Sequence, residues 1–253
     1  MPIGDPALWN IETKSRKELV KTGQLLFKQF RTVVYLTEVM RQVDESQQAF
    51  RETLMRIRSC MANINDYELL KSRVIGIANN EQSILEKNPI YLVPTRQMAH
   101  EFNTSKLNSL SESTRERIFT INALHNTPSA ARLTQEHYQN LESTIQICRG
   151  ARVMLTANLW VEKGLMNGAF GTIRNIIFES GMKPPNMPIA IVIEMDSNYT
   201  GPSVPGLPAR HIILNPKTNF SLSGNRRLER TQYPLVLAYS MTIHKCQGIF
   251  QID

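Results

Sequence analysis

A cluster of polar side chains follows a short apolar run near the end of the chain. The run from Leu235 to Ala238 predicts a buried strand, and behind it come Thr242, His244, Lys245 and Gln247. Their hydroxyl, imidazole, ammonium and amide groups can donate hydrogen bonds, and α/β sheets bind phosphorylated ligands where their strands end. The cluster therefore predicts a contact with phosphate or nucleic acid. The alternative is a solvated loop that simply follows a strand.

A second candidate phosphate contact is Thr95, which also follows a short apolar run. Residues 90–93 predict a strand that Pro94 ends, and Thr95 is placed to cap the helix that comes next. The free amide groups and the dipole at a helix start favour a bound phosphate. A simple helix cap is the equally good alternative.

The elements that must position these residues are of two kinds. Apolar residues at helical spacing between Phe50 and Met61 predict an amphipathic helix packed on a core. From Gly150 on, short β-rich runs separated by Gly, Pro and Asn predict a small β-barrel or meander. Gly168 and Gly171 would allow the tight turn and the close strand approach that it needs. The polar stretch 108–148 predicts helices and loops.

Composition fits an intracellular globular protein with a polyanionic partner. The 253 residues are 42% hydrophobic and 20% charged, with a net charge of +7. From Arg149 on there are 11 basic and 6 acidic residues, so the positive surplus is concentrated there. The three cysteines form no metal-ligand spacing, and no apolar run has the length of a membrane span. We expect a soluble protein with no membrane partner.

The segment Pro234 to Gly248, PLVLAYSMTIHKCQG, resembles a motif of Pif1-like DNA helicases. That motif is a PL-x-LA strand followed by TIHKSQG, and Cys246 replaces its usual serine. The resemblance implies that Thr242, His244 and Lys245 contact single-stranded DNA in an intact motor. It also implies that Gln247 and Gly248 face the nucleotide.

Three further stretches resemble motifs of the same helicases, in the same order. Residues 33–60 are similar to L-x-x-x-x-RQ-x-D-x-x-F-x-x-x-L-x-x-IR-x-G, and residues 90–103 to a strand L-x-PTN whose helix carries a later Asn. Residues 150–173 are similar to GA-x-VML-x-x-N followed by GL-x-NG-x-x-G-x-V. The second stretch implies a DNA contact for Thr95, although Arg96 replaces the usual Asn. The third identifies the family more than it identifies a site.

The first of these stretches implies a catalytic role for Arg41. A guanidinium presented from the end of a strand can reach phosphate oxygens with a forked set of donors, as arginines do in phosphoryl transfer. The resemblance makes Arg41 the phosphate-sensing arginine of an intact motor. Without the resemblance, the neighbouring Asp44 and Glu45 would favour the interpretation that Arg41 is a surface arginine paired with a carboxylate.

The motifs that bind ATP phosphates and magnesium are absent from this sequence. A phosphate loop ends in Gly-Lys-Ser/Thr, and the dipeptide Gly-Lys does not occur. The one Asp-Glu pair, Asp44-Glu45, does not end an apolar strand. ATP and Mg²⁺ serve the intact family, so the resemblance implies that a first motor domain lies upstream of Met1. We expect this chain to bind neither ATP nor Mg²⁺ stably, to hold no metal and not to hydrolyse ATP alone.

The predicted fold class is α/β, a second RecA-like helicase domain with a small SH3-like β insertion. Residues 1–30 form a linker, 31–155 and 232–253 form the RecA-like domain, and 156–231 form the insertion. The predicted function is that of a fragment of an ATP-dependent helicase in DNA repair, recombination or replication, nuclear if the source is a eukaryote. The alternatives are a non-enzymatic DNA-binding or regulatory remnant, and a truncated gene product without independent function.

Overall fold

The computed structural model of the chain describes residues 18–35, 44–74, 89–196 and 198–246. The chain divides into two compact units, Met1–Asn79 and Asn80–Asp253. In the described part of the first unit the regular structure is helical, whereas the described part of the second combines helices with twelve strands. No helix among these residues is both long enough and apolar enough to cross a membrane.

Three helices form the described part of the first unit. They are α1 (Glu18–Phe27), α2 (Gln48–Arg58) and α3 (Ile64–Lys71), and a 3-10 turn at Glu45–Gln47 leads into α2. The predicted amphipathic helix is confirmed as α2, although it ends before Met61.

The apolar side of α2 does not pack on a core as the sequence predicts. Phe50, Leu54 and Ile57 are 36%, 39% and 41% exposed, and Thr53 is the buried residue of the helix. The prediction is wrong in this respect because α2 is anchored through polar groups. The Thr53 hydroxyl donates to the buried carboxylate of Asp66 on α3 at 2.8 Å.

Asp66 joins α2 to α3 through a set of charge-assisted hydrogen bonds. Its carboxylate accepts from Arg56 Nη2 at 2.7 Å and from Arg56 Nε at 3.0 and 3.1 Å. It also accepts from the Asn63 amide at 3.0 Å, which completes a capping box at the start of α3. Hydrogen bonding to Arg56, with a smaller contribution from Asn63, holds the pKa of Asp66 well below its usual range.

The described residues of the second unit form four sheets and three helices. The strands are β1 (Tyr91–Val93), β2 (Phe119–Asn122), β3 (Leu124–His125), β4 (Thr144–Ile147), β5 (Arg152–Leu155), β6 (Phe170–Ile177), β7 (Ala190–Met195), β8 (His211–Leu214), β9 (Lys217–Ser223), β10 (Arg226–Gln232), β11 (Leu235–Leu237) and β12 (Ser240–Thr242). The helices are α4 (Arg96–Thr114), α5 (Pro128–Ala131) and α6 (Ile243–Cys246), with 3-10 turns at Gln135–Tyr138 and Val161–Lys163.

The largest sheet has the order β11-β5-β6-β7-β8 and is antiparallel throughout. The strands predicted after Gly150 are confirmed, and β5 to β8 follow one another as a meander. No closed barrel is found among the described residues, because β11 and β8 are the two edges of this sheet. The predicted insertion begins at residue 156, directly after β5, so this sheet contains strands from both sides of that boundary. The boundary stays a prediction.

The core of the second unit lies against this sheet. Its members are buried apolar side chains from the strands and from the middle of α4, among them Leu107, Ile121, Ile147, Val153, Ile173, Ile191 and Ile193. Gly171 lets β6 and β7 approach closely, since a Cβ there would lie 2.6 Å from Ile193 Cγ2. Gly168 has a φ of 96° at the turn before β6. The predicted roles of both glycines are confirmed.

The stretch 108–148 differs from its prediction of helices and loops. Helix α4 continues to Thr114, and β2 and β4 then form an antiparallel pair with Ile121 opposite Ile145. Each strand has four residues, and polar residues alternate with the buried ones in β4. Such short alternation is a weak signal in a polar stretch.

Candidate nucleic-acid interface

The strands β1 and β12 form a parallel pair that brings two distant parts of the chain together. Leu92 lies opposite Met241, and Val93 lies opposite Thr242. Because parallel strands end at the same edge of a sheet, the residues that follow them meet there. Three of the predicted site residues, Thr95, His244 and Lys245, follow these strands, and Thr242 is the last residue of β12.

The residues after β12 begin a helical turn. Helix α6 starts at Ile243, and the amide of Lys245 donates to Thr242 Oγ1 at 3.4 Å. A threonine hydroxyl in this position satisfies an amide that has no partner within the helix. His244 and Lys245 are exposed to solvent on this turn.

Thr95 caps α4, as one of the two interpretations of the sequence predicts. Its Oγ1 accepts a hydrogen bond from the Met98 amide at 3.2 Å, and its backbone is extended. The residue is exposed, so its hydroxyl proton stays available to an acceptor from outside. The cap is confirmed, and the DNA contact stays a prediction.

Asn103 on α4 fixes the start of β12, a role that the sequence did not reveal. Its Oδ1 accepts from the amides of Tyr239 and Ser240 at 3.0 and 2.8 Å. Its Nδ2 donates to the Ser240 carbonyl at 2.9 Å. This side chain therefore holds the backbone between β11 and β12. The one sequence signal was the later Asn that the helicase motif carries on this helix.

Glu142 is a half-buried carboxylate among cations from three elements. It interacts electrostatically with Lys245 of α6, with Arg230 of β10, and with Arg96 and His100 of α4. Burial raises the pKa of Glu142, and these positive charges oppose the shift. No sequence motif pointed to this residue, because its neighbours come from distant parts of the chain.

Desolvation and neighbouring charges shift the pKa of Lys245, as they do that of Glu142. Although solvent reaches the residue, desolvation by surrounding protein atoms is the main cause that lowers its pKa. Glu142 opposes this shift, and the positive charge of Arg96 reinforces it. Arg96 itself pairs with Glu136 at 3.1 Å. Two cations thus lie close enough at this edge to repel each other, with carboxylates beside both.

Arg230 positions the segment that carries Glu142. This arginine is 1% exposed, and its guanidinium donates to the Leu141 carbonyl at 2.9 Å and to the Leu133 carbonyl at 2.8 Å. It also donates to His125 Nε2 at 3.0 Å. Since Leu141 directly precedes Glu142, these bonds fix the backbone from which the carboxylate projects.

Cys246, which replaces the serine of the helicase motif, is half-buried. Its side chain packs against an apolar cluster that includes Met154, Phe170, Ala238 and Met241. A thiol is a weak hydrogen-bonding group and behaves as a small apolar side chain in such surroundings. The replacement therefore suits the environment of α6.

Three predicted site residues, Arg41, Gln247 and Gly248, lie outside the described residues, and their roles stay predictions. Within the described ranges, no group of three or more His, Cys, Asp or Glu side chains is placed to hold a metal ion.

Comparison with known proteins identifies relatives of this chain in sequence and in fold. No protein-family model matches it. It is 26% identical over 271 residues to the uncharacterized protein 030L of Invertebrate iridescent virus 6, a match that covers 85% of this chain and 50% of that protein. It is 36% identical over 105 residues to the ATP-dependent DNA helicase PIF1 of Xenopus laevis, which covers 42% of this chain and 14% of the helicase.

Solved helicase structures share the fold over more of this chain than the Xenopus sequence match covers. The Pif1 helicase from Candida albicans matches with a TM-score of 0.56 and 20% identity, over 83% of this chain and 47% of that one. Bacteroides Pif1 bound to single-stranded DNA matches with a TM-score of 0.52 and 20% identity, over 94% of this chain and 51% of that one. The chain thus has a mixed α/β fold like that of Pif1 helicases, and it spans about half the length of these proteins or less.

Proposed function

Since this chain is a homologue of Pif1 helicases and matches their fold over much of its length, we propose that it forms the part of such a helicase that grips single-stranded DNA. The observation that carries this proposal is the parallel pairing of β1 with β12. It brings four residues of two separate motifs to one edge of a sheet: Thr95, Thr242, His244 and Lys245. The helicase itself would act in DNA repair, recombination or replication.

The proposed grip is directed at the DNA backbone. Lys245 supplies a positive charge, and the threonines and His244 supply hydrogen-bond donors, which together suit phosphate oxygens rather than base edges. Binding of this kind is independent of sequence and weakens with salt, because each neutralised phosphate releases counterions. The Bacteroides relative was solved with single-stranded DNA, and this supports the choice of ligand.

We further propose that the fold combines a RecA-like domain with an SH3-like insertion. The RecA-like domain would contain residues 31–155 and 232–253, with 156–231 as the insertion and 1–30 as a linker. The pairing of β1 with β12 supports this division, since it joins the two sequence segments of the proposed domain in one parallel sheet. The meander β6 to β8 lies between these segments, as an insertion would.

The nucleotide would be bound mainly by a motor domain whose phosphate loop this sequence does not contain. In such a motor, Arg41 would reach the phosphates of ATP during their transfer, and Gln247 and Gly248 would face the nucleotide. ATP and Mg²⁺ would therefore serve the whole helicase, and this chain would not hydrolyse ATP alone.

Titration of a fluorescent oligothymidylate with the chain at low salt tests the proposed grip. We expect binding that Lys245→Ala weakens by roughly 3- to 10-fold, since one phosphate contact is lost. Lys183→Ala, in the exposed segment between β6 and β7, is the matched control and should leave the affinity unchanged. An absence of binding, or equal losses in the two variants, would contradict the proposal.

A further inference from the structure

The hairpin of β9 and β10 presents an exposed face that carries large apolar side chains. Phe220 is 51% exposed and Leu222 is 69% exposed. They share one face of β9, because side chains two residues apart on a strand point to the same side. Arg227 of β10 lies directly opposite Leu222 and therefore belongs to the same face. Apolar side chains exposed together in this way indicate a surface for a ligand or a partner.

The other face of the hairpin anchors it to the second unit. Leu228 of β10 is buried in a cluster that includes Tyr138. The Asn219 amide of β9 donates to the Tyr138 carbonyl at 2.9 Å. Asn126 donates to the Arg227 carbonyl, also at 2.9 Å. Both strands are thus fixed from below, and the exposed face is a firm platform.

Arg227 and Phe220 form a cation–π pair on this platform. The guanidinium carbon lies 4.2 Å from the centroid of the ring. Glu229 holds the guanidinium through its Nε at 2.7 Å, and the Arg227 side chain is still 59% exposed. Bases of single-stranded nucleic acids stack on aromatic rings and on guanidinium planes. The pair therefore offers both of the surfaces on which a base can stack.

The charge of the hairpin favours a nucleic acid as the occupant of this face. Among residues 217–232, basic residues outnumber acidic ones by four to one. Three of the basic residues, Lys217, Arg226 and Arg227, are at least partly exposed. Positive charge beside an exposed ring is the combination with which proteins bind single strands without sequence preference. Charge complementarity thus points to single-stranded DNA.

We propose that Phe220 and Arg227 form a stacking site for the bases of single-stranded DNA. The inference rests on the proposed binding of single-stranded DNA, and it adds a contact of different chemistry within the proposed insertion. The grip at Lys245 binds phosphates and weakens with salt, whereas stacking requires the bases. Because every base has a π-face, the site accepts any sequence.

Titrations with oligothymidylate and with an abasic oligonucleotide of the same length test this proposal. Phe220→Ala should weaken the binding of oligothymidylate by at least about 5-fold and leave that of the abasic strand nearly unchanged, since only the former has bases to stack. Phe220→Tyr keeps the ring and should retain the wild-type affinity. Phe30→Ala is the matched control, because it removes a ring that is 78% exposed in the first unit. It should leave both affinities unchanged.

Lys245→Ala separates the stacking site from the proposed grip. It should weaken the binding of both oligonucleotides, because a backbone contact needs no base. The inference would be overturned if Phe220→Ala bound oligothymidylate as tightly as the wild type, lost affinity equally for both strands, or lost no more than Phe220→Tyr. The grip would still stand in each case. If Lys245→Ala had no effect and Phe220→Ala had the expected one, the grip would fail and the stacking site would stand.

Discussion

At the scale of single residues, Asn103 shows how one side chain can set the geometry of the proposed grip. Its amide group satisfies two backbone donors and one backbone acceptor at the entry to β12. Ser240 is buried there, so water cannot replace these bonds at its backbone. The positions of Thr242 and Lys245, which follow directly, therefore depend on Asn103.

We predict that Asn103→Ala destabilises the chain by about 2 to 4 kcal/mol, because three hydrogen bonds are lost and buried backbone groups stay unpaired. The free energy of unfolding in urea measures this effect. Asn108→Ala is the control, since it makes the same substitution on an exposed position of α4. If the two variants are equally stable, Asn103 does not hold β12 as the structure indicates.

At the scale of elements, the pairing of α2 with α3 depends on the ionised form of Asp66. Hydrogen bonds from Arg56 and the Asn63 amide lower its pKa in the folded state. A carboxylate with a lowered pKa stabilises the fold above its unfolded pKa of about 3.9, and the contribution is lost as the pH falls through the folded value.

We therefore predict that Asp66→Asn lowers the unfolding midpoint of these helices at neutral pH. Below about pH 4 the wild-type chain should lose stability, whereas the variant should lose less, since it has no charge to neutralise there. Thermal unfolding followed by helical circular dichroism from about pH 7 to about pH 2 measures both trends. Glu68→Gln, an exposed carboxylate of α3, should keep the wild-type profile. Parallel pH profiles for wild type and Asp66→Asn would show that Asp66 does not join the helices.

The sequence predicted the features that adjacent residues determine, and it did not predict those that depend on contacts between distant residues. The cap at Thr95 and the strand before it are fixed by adjacent residues, so Pro94-Thr95 after an apolar run was enough to predict them. The bonds of Asn103 reach residues 136 and 137 positions away, and no local pattern reports such contacts. The surroundings of Glu142 are hidden for the same reason. The apolar spacing in α2 predicted the helix but not that its anchor is the polar contact with Asp66.

At the scale of the whole molecule, the sequence and the fold both resemble those of Pif1 helicases, and the chain spans only part of their length. Its matches span 50% of the viral relative, 14% of the Xenopus helicase and about half of the solved helicase chains. The net charge of +7 suits a polyanionic partner. Hydrolysis of ATP, in contrast, needs a phosphate loop that is not among these 253 residues.

We predict that this chain shows no DNA-stimulated ATPase activity, because no Gly-Lys-Ser/Thr loop is present to hold the phosphates and magnesium. Phosphate release in the presence of oligothymidylate, ATP and Mg²⁺ measures it. Turnover that Arg41→Ala abolishes would contradict the prediction, since it would show a complete catalytic site in this chain.

The central claim is that residues at the shared edge of β1 and β12 bind the backbone of single-stranded DNA. The salt dependence of oligothymidylate binding tests this claim most directly. Between about 50 and 200 mM salt, the logarithm of the binding constant should fall linearly with the logarithm of the salt concentration. Lys245→Ala should make this slope shallower by about 0.7 to 1, the value of one lost phosphate contact on a single strand. Lys183→Ala should leave the slope as it is. A slope that Lys245→Ala does not change, or binding that salt does not weaken, would contradict the account.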